Sequence, residues 1–169
     1  MAKMFLMCGI SGSGKTTFAK KFAEDNNILY LGVDDFYKKR NGDECLHINT
    51  FDVWIDFYKA IHDAELLGVD CIVDTNALTT SQRDQFIEWF PTFEHHLIAI
   101  EASENLRKKN NLSRRRQVPD TVMDKMAKKY ESPLPIYERE EWKTIRIILN
   151  IVNEFSEPIY VKGDKHDCN

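Results

Sequence analysis

No stretch of this 169-residue chain stays apolar for the length of a membrane span, so no transmembrane helix is expected. Met1-Ala2-Lys3 runs straight into the first apolar segment and leaves no room for a cleavable leader, which predicts a cytoplasmic protein. Cysteine is scarce: Cys8, Cys45, Cys71 and Cys168 have no C-x-x-C spacing, and they read as reduced thiols, at least two of them small apolar residues inside strands. Neither sign of charge dominates, with 23 Lys and Arg against 27 Asp and Glu and a net charge of −4. So weak a field argues against coating nucleic acid through overall charge, although local clusters can still act. Internal repeats and low-complexity linkers are missing too. The length suits one α/β domain over residues 1–169 and is too short for two.

What is present is concentrated in Gly9-Ile10-Ser11-Gly12-Ser13-Gly14-Lys15-Thr16, which fits G-x-x-x-x-G-K-[ST], a loop that wraps the phosphates of a nucleoside triphosphate. Gly9, Gly12 and Gly14 let the backbone take positive φ and keep side chains away from a phosphate, so that N–H groups, with Ser11 and Ser13 between them, converge on its oxygens. Lys15 supplies a point charge near the β- and γ-phosphates. Thr16, followed by Thr17, offers a hydroxyl to Mg²⁺, which takes few protein ligands. Met4-Phe5-Leu6-Met7-Cys8 before the loop suits a buried strand, and a helix burying Phe18, Ala19, Phe22 and Ala23 follows it.

Further along, Ile28-Leu29-Tyr30-Leu31-Gly32-Val33 reads as a second strand with Asp34 and Asp35 at its end, and residues 41–49 as a mobile loop. Phe51, Trp54, Ile55, Tyr58 and Ile61 recur at helical spacing up to about Leu67, with Gly68 as the stop. Cys71-Ile72-Val73-Asp74 is a third strand with Thr75 and Asn76 at its rim, and Thr79-x-x-Gln82 has the form of a capping box. Leu97-Ile98-Ala99-Ile100 and residues 144–149 complete five strands. Their Val/Ile/Leu runs, alternating with helices, predict a mostly parallel sheet covered on both faces. Residues 103–131 form a helical segment interrupted before Pro119, and the tail from Asn153 is expected to be peripheral, with Ile159-Tyr160-Val161 available as an edge strand.

Three features suit phosphoryl transfer. Asp34 has the placement of a general base for an acceptor hydroxyl, or of a helix cap; Asp35 reads as structural. Asp74 has the placement of a carboxylate that holds Mg²⁺ directly or through water, or caps the next segment. Lys or Arg fills six of the ten positions from Arg107 to Arg116, which suits a lid that closes over a triphosphate. Arg114 leads, followed by Arg115 and Arg116. His95-His96, Trp54, Trp89 and Trp142 read as packing residues, and His166-Asp167-Cys168 as a frayed tail.

Taken together, Gly9 to Thr16, Asp34-Asp35-Phe36-Tyr37, Val73-Asp74-Thr75-Asn76 with Arg83 nine residues after Asp74, and the arginine segment from Asn110 to Pro119 resemble the kinase domain of the polynucleotide 5′-hydroxyl kinases and their zeta-toxin-like and metabolite-kinase relatives. The resemblance covers residues 4–149. It implies a three-layer α/β/α P-loop kinase fold, a five-stranded sheet in the order 2-3-1-4-5 with a helical lid, ATP and Mg²⁺ as cofactors, and Asp34 as base. It also implies a lid arginine within residues 114–116, and an acceptor held near Asp34, Tyr37, Lys38, Asp74, Asn76 and Arg83. The implied acceptor is the 5′-hydroxyl of an RNA or DNA end. One departure is that Tyr37 stands where phage-type polynucleotide kinases carry an arginine for an acceptor phosphate, and Lys38 does not reproduce an arginine fork. Asp-Asp-Phe-Tyr is also similar to the acceptor segment of uridine and nicotinamide riboside kinases, which keeps a nucleoside or other small metabolite as the alternative acceptor. A nucleotide-dependent ATPase switch is a third reading. No D-x-D-G-[ST] phosphatase signature is present.

Overall fold

In the computed structural model, which describes residues 1–43, 47–115, 117–164 and 166, the first apolar run becomes the centre of the sheet. Strand β1 (Lys3–Cys8) is flanked in parallel by β3 (Cys71–Asp74) and β4 (Glu94–Ala102). Beyond these lie β2 (Leu29–Gly32), parallel to β3, and β5 (Trp142–Ile151), parallel to β4. The order of the five parallel strands is 2-3-1-4-5. Among the described residues the sheet has seven strands rather than five, because β6 (Glu154–Phe155) and β7 (Ile159–Lys162) pair antiparallel with the outer edge of β5. Val152 and Asn153, both at positive φ, make the two-residue turn between β5 and β6 that a right-handed strand twist favours.

Successive side chains of β1 feed two cores, as strand geometry requires. Met4, Leu6 and Cys8 face Phe57, Ile61 and Ala64 of α3 (Thr50–Leu67) and Phe86 and Ile87 of α4 (Thr80–Trp89). Phe5 and Met7 face Ala19 and Ala23 of α1 (Lys15–Asn26). The sheet is therefore covered on both sides. Thr79 and Gln82 form the reciprocal capping box at the start of α4, a device worth about 1 kcal/mol. Gly68 ends α3 at φ 66.

Two boundaries differ from expectation. Val33 already opens a helix, α2 (Val33–Asn41), so Asp34 and Asp35 sit in its first turn rather than on a strand tip. The segment after α2 is tied rather than loose where it is described: Asn41 Nδ2 donates to the Ile48 carbonyl (2.9 Å) and His47 stacks on Tyr37. The buried face of α3 is Val53, Phe57, Ile61 and Ala64, while Phe51 and Ile55 are exposed. Weighting the aromatics had rotated the expected stripe off the true i, i+4, i+8, i+11 row. Cys8 and Cys71 are buried free thiols, pushed up to about 12 by burial; Cys45, Cys168 and Asp167 lie outside the described residues. His95 and His96 are buried packing residues. Trp142 is buried, whereas Trp89 is largely exposed. No helix among the described residues is long and apolar enough to cross a membrane.

Candidate active site

The loop between β1 and α1 is held from behind by side chains of distant segments. Asn110 Nδ2 donates to the Gly12 carbonyl (2.9 Å) and Asn150 Nδ2 to the Ser13 carbonyl (2.8 Å). Because a peptide unit is planar, fixing the Ser13 carbonyl also fixes the Gly14 N–H in the opposite direction. Gly12 and Gly14 have φ of 83° and 100°, and a Cβ on either would come within 2.5 Å of the Arg107 carbonyl or 2.7 Å of Asn150 Nδ2. Only glycine fits there. Gly9 lies behind the loop, its N–H donating to the Asn76 carbonyl (3.0 Å), and Ser13 is buried beneath it.

Lys15 is buried, with Nζ donating to the Ile10 carbonyl (3.1 Å). Burial pulls its ammonium down to about 8, against the pull of Asp74 and with a push from Arg114. Thr16 Oγ1 donates to Asp74 Oδ2 (2.6 Å), and Tyr30 donates its hydroxyl to the same oxygen (3.0 Å). Burial raises the Asp74 carboxyl, while Lys15 and the two hydroxyls oppose the rise. Glycine at 32 is needed for this arrangement, since a Cβ there would lie 2.1 Å from the Tyr30 hydroxyl.

These groups open onto a cleft of about 980 Å³. Ser11, Gly12, Gly14, Lys15, Thr16 and Thr17 form its loop side. Asp34, Tyr37, Asp74 and Asn76 also line it, Asp74 beside Thr16, and Arg114 and Arg115 reach it from the turn between α5 (Glu104–Leu112) and α6 (Asp120–Lys129). Tyr37 is buried, its ring 4.1 Å from and nearly parallel to that of His47.

The segment expected as a lid, residues 103–131, is laced at several points where it is described. Asn111 closes the turn with both ends of its amide, donating to the Val118 carbonyl (2.7 Å) and accepting from its N–H (2.8 Å). After α6, the Glu131 N–H donates to the Leu78 carbonyl (2.9 Å), and Tyr130 and Ser132 donate to Glu101. Much of the basic run is engaged: Arg107 with the Ala102 carbonyl, Lys108 with Glu104 (2.6 Å), and Arg115 with Asp43 (3.0 Å). Arg116 lies outside the described residues.

Two expected acceptor residues are elsewhere. Lys38 is exposed on α2 and does not line the cleft. Arg83 is fully buried, its Nε donating to both oxygens of Glu138 (3.0 and 3.1 Å), its Nη1 to the Ala77 carbonyl (3.1 Å), and its Nη2 to Glu138 and Thr80. It props the rim loop, where Ala77 sits at φ 40, rather than facing a ligand.

A family model described as an AAA domain matches residues 4–133. The chain belongs to the AAA domain family. Solved structures of P-loop kinases share its fold. A sugar kinase from Janibacter sp. HTCC2649 superposes with a TM-score of 0.63 at 18% identity over 88% of this chain and 84% of that one. A gluconokinase from Sinorhizobium meliloti 1021 gives 0.60 at 19% over 87% and 82%. A chain of the Pnkp1/Rnl/Hen1 RNA repair complex gives 0.66 at 16%, over 76% of this chain and 43% of that one.

In this AAA-domain chain several site residues had no signal in the sequence. Tyr30, Asn150 and His47 belong to no local motif, Asn110 opens the arginine segment with no role of its own marked there, and the bonds of Tyr30, Asn110 and Asn150 span 44, 98 and 137 residues. The start of the tail is not peripheral. Phe155 packs edge-on against Phe18, with centroids 5.3 Å apart, and Phe155 and Asn153 both line the cleft. These residues lie beyond the segment that the family model matches.

Proposed function

We propose that this protein is an ATP-dependent kinase that moves the γ-phosphoryl group of ATP onto the hydroxyl of an acceptor. The observation that carries the reading is that Lys15, Thr16, Asp74 and Asp34 open onto one cleft. The triphosphate fits the loop because Gly12 and Gly14 leave backbone N–H groups accessible beside a buried ammonium. Mg²⁺ fits the donor chemistry of Thr16 Oγ1 and Asp74 Oδ2, two hard oxygens 2.6 Å apart, since this ion takes one or two protein oxygens and keeps its waters. Bound there, it supplies neutralisation of the β- and γ-phosphate charge.

Tyr30 holds the Asp74 carboxylate by its shared oxygen, and Lys15 meets the charge at the β–γ bridge. The acceptor oxygen bonds to the γ-phosphorus as the bond from that phosphorus to the β–γ bridging oxygen breaks, releasing ADP. Asp34 takes the hydroxyl proton. Arg114 supplies a cation from the lid, a contribution that in such enzymes reaches about 10³-fold or more.

The likeness to a chain of the Pnkp1/Rnl/Hen1 RNA repair complex supports a 5′-hydroxyl polynucleotide end as acceptor, and the likeness to a sugar kinase and a gluconokinase supports a small hydroxyl compound. Transfer of label from γ-labelled ATP tests the reading. Wild type labels a hydroxyl acceptor, and Lys15→Met lowers the rate by on the order of 10³-fold. ATP hydrolysis that no acceptor stimulates would point instead to a nucleotide switch.

A further inference from the structure

Gly12 is where the phosphate loop meets the segment that follows β4. Asn110 Nδ2 donates to its carbonyl (2.9 Å), and the Arg107 carbonyl stands so near that a Cβ on Gly12 would come within 2.5 Å of it. Residues 107 and 110 are about one turn apart on α5 and share a face, so this side of the helix lies along the loop. An asparagine near the end of a helix ordinarily bonds within its own stretch of chain. Asn111 does so, with Val118, whereas the Asn110 amide reaches across 98 residues.

The same residue is tied in the other direction to the turn that carries Arg114. Ser113 Oγ donates to the Asn110 carbonyl (2.8 Å), the Ser113 N–H to the Lys109 carbonyl (3.3 Å) and the Arg114 N–H to the Asn111 carbonyl (3.2 Å). Two further bonds fix the start of α5: the Leu106 N–H donates to Ser103 Oγ (3.3 Å), and Arg107 Nη1 to the Ala102 carbonyl. The helix therefore has a fixed root, while Leu112, Ser113, Arg114 and Arg115 beyond it are exposed. Arg114 nevertheless borders the cleft, and its charge reaches Lys15: burial lowers that ammonium, Asp74 opposes the fall and Arg114 adds to it. An arginine in an exposed turn is placed by its backbone rather than by packing around its side chain, so whatever fixes the turn fixes where the cation can stand.

We propose that Asn110 is a positioning residue, which by bonding α5 to the Gly12 carbonyl sets where Arg114 stands at the cleft. This rests on the kinase reading above, in which Arg114 meets the triphosphate. Because the peptide after Gly12 is planar, the bond that holds this carbonyl also holds the Ser13 N–H toward the Ile10 carbonyl (3.1 Å), so the loop and the turn share an anchor. Coupling through such an anchor is reciprocal: a phosphate that orders the loop orders the turn, and a turn held in place favours the loop that binds phosphate.

The experiment has two arms, and the first needs no acceptor. Trypsin cleaves the exposed turn after Arg114 and Arg115, and ADP is the ligand because it lacks the γ-phosphoryl group that Arg114 would meet directly. Saturating ADP is expected to slow cleavage of the wild-type turn about tenfold. In Asn110→Ala, and in Asn110→Asp, which keeps the shape of the side chain but not its N–H, the slowing is expected to fall below about twofold at ADP concentrations that saturate each variant. The second arm is a double-mutant cycle on label transfer from γ-labelled ATP. Asn110→Asp is expected to lower kcat about tenfold and Arg114→Ala about 10³-fold. The double variant should match Arg114→Ala within about twofold, since the cation that Asn110 places is already gone. Losses that multiply would overturn the proposal and leave Asn110 as a brace of the loop alone. Undiminished ADP protection in both Asn110 variants would overturn it too, as would a wild type that binds ADP without any protection. Label reaching no acceptor, from a protein that binds ATP, would remove the kinase reading, and the cleavage arm would still judge the anchor.

Discussion

Two regions of the cleft are built by different means. At the phosphate loop the working surface is backbone, and its shape is held by carbonyls bonded to Asn110 and Asn150 and by glycines with no room for a Cβ. Where Tyr37, Trp54 and Val122 line the cleft the surface is side chain, assembled from α2, α3 and α6, with one stacked ring pair and a carboxylate in a helix first turn. A backbone surface tolerates little change and recognises what all nucleoside triphosphates share. A side-chain surface can be re-cut one residue at a time, and that is where differences in acceptor among kinases of this fold can arise.

The largest test of that contrast is Asp34→Asn. It should cost about 10²- to 10⁴-fold in kcat while leaving ATP affinity nearly unchanged, measured by labelled transfer alongside nucleotide binding. Arg83→Met should come next, and its effect should fall on the fold rather than on either region of the cleft. It leaves Glu138 buried without its partner, a loss of about 3–5 kcal/mol in denaturant unfolding. A large rise in acceptor KM with normal stability would return Arg83 to the ligand.

Asn150→Ala should weaken ATP binding by roughly tenfold in calorimetry, because it leaves the Ser13 carbonyl without its donor and loosens Gly14. It should not alter the acceptor KM. The smallest effect is a proton. Burial lowers Lys15 to about 8 from an ordinary value of 10.5, and a bound triphosphate favours its charged form. ATP binding should therefore take up a fraction of a proton between these pH values, read as a dependence of binding heat on buffer ionisation, and affinity should weaken as pH rises through the window. The unfolded chain holds the Lys15 proton more tightly, so in the ATP-free protein this residue's contribution to stability rises over the same window.

What the sequence made legible was local. The loop motif between an apolar strand and a helix, the capping box at Thr79 and the stop at Gly68 each depend on residues within a few positions, and each is found in place. Asp34 could be placed near the cleft because it follows a strand whose end faces ligands. The helical state of Val33 escaped notice because the apolar run carries no mark where strand becomes helix. Arg83 was misread because its spacing after Asp74 is visible, while its pairing with Glu138, 55 residues later, is not. Tyr30, Asn110 and Asn150 escaped for the same reason, since each reaches the site through a single hydrogen bond to a distant part of the chain.

The bond from Asn150 to the Ser13 carbonyl has a consequence for the order of events during synthesis. The phosphate loop leaves the ribosome well before the amide that braces it, 137 residues further along, and before the phenyl ring that backs Gly14. A nascent chain can therefore carry the whole nucleotide signature while being a poor trap for nucleotide, and tight binding becomes a report that translation has passed the β5–β6 hairpin.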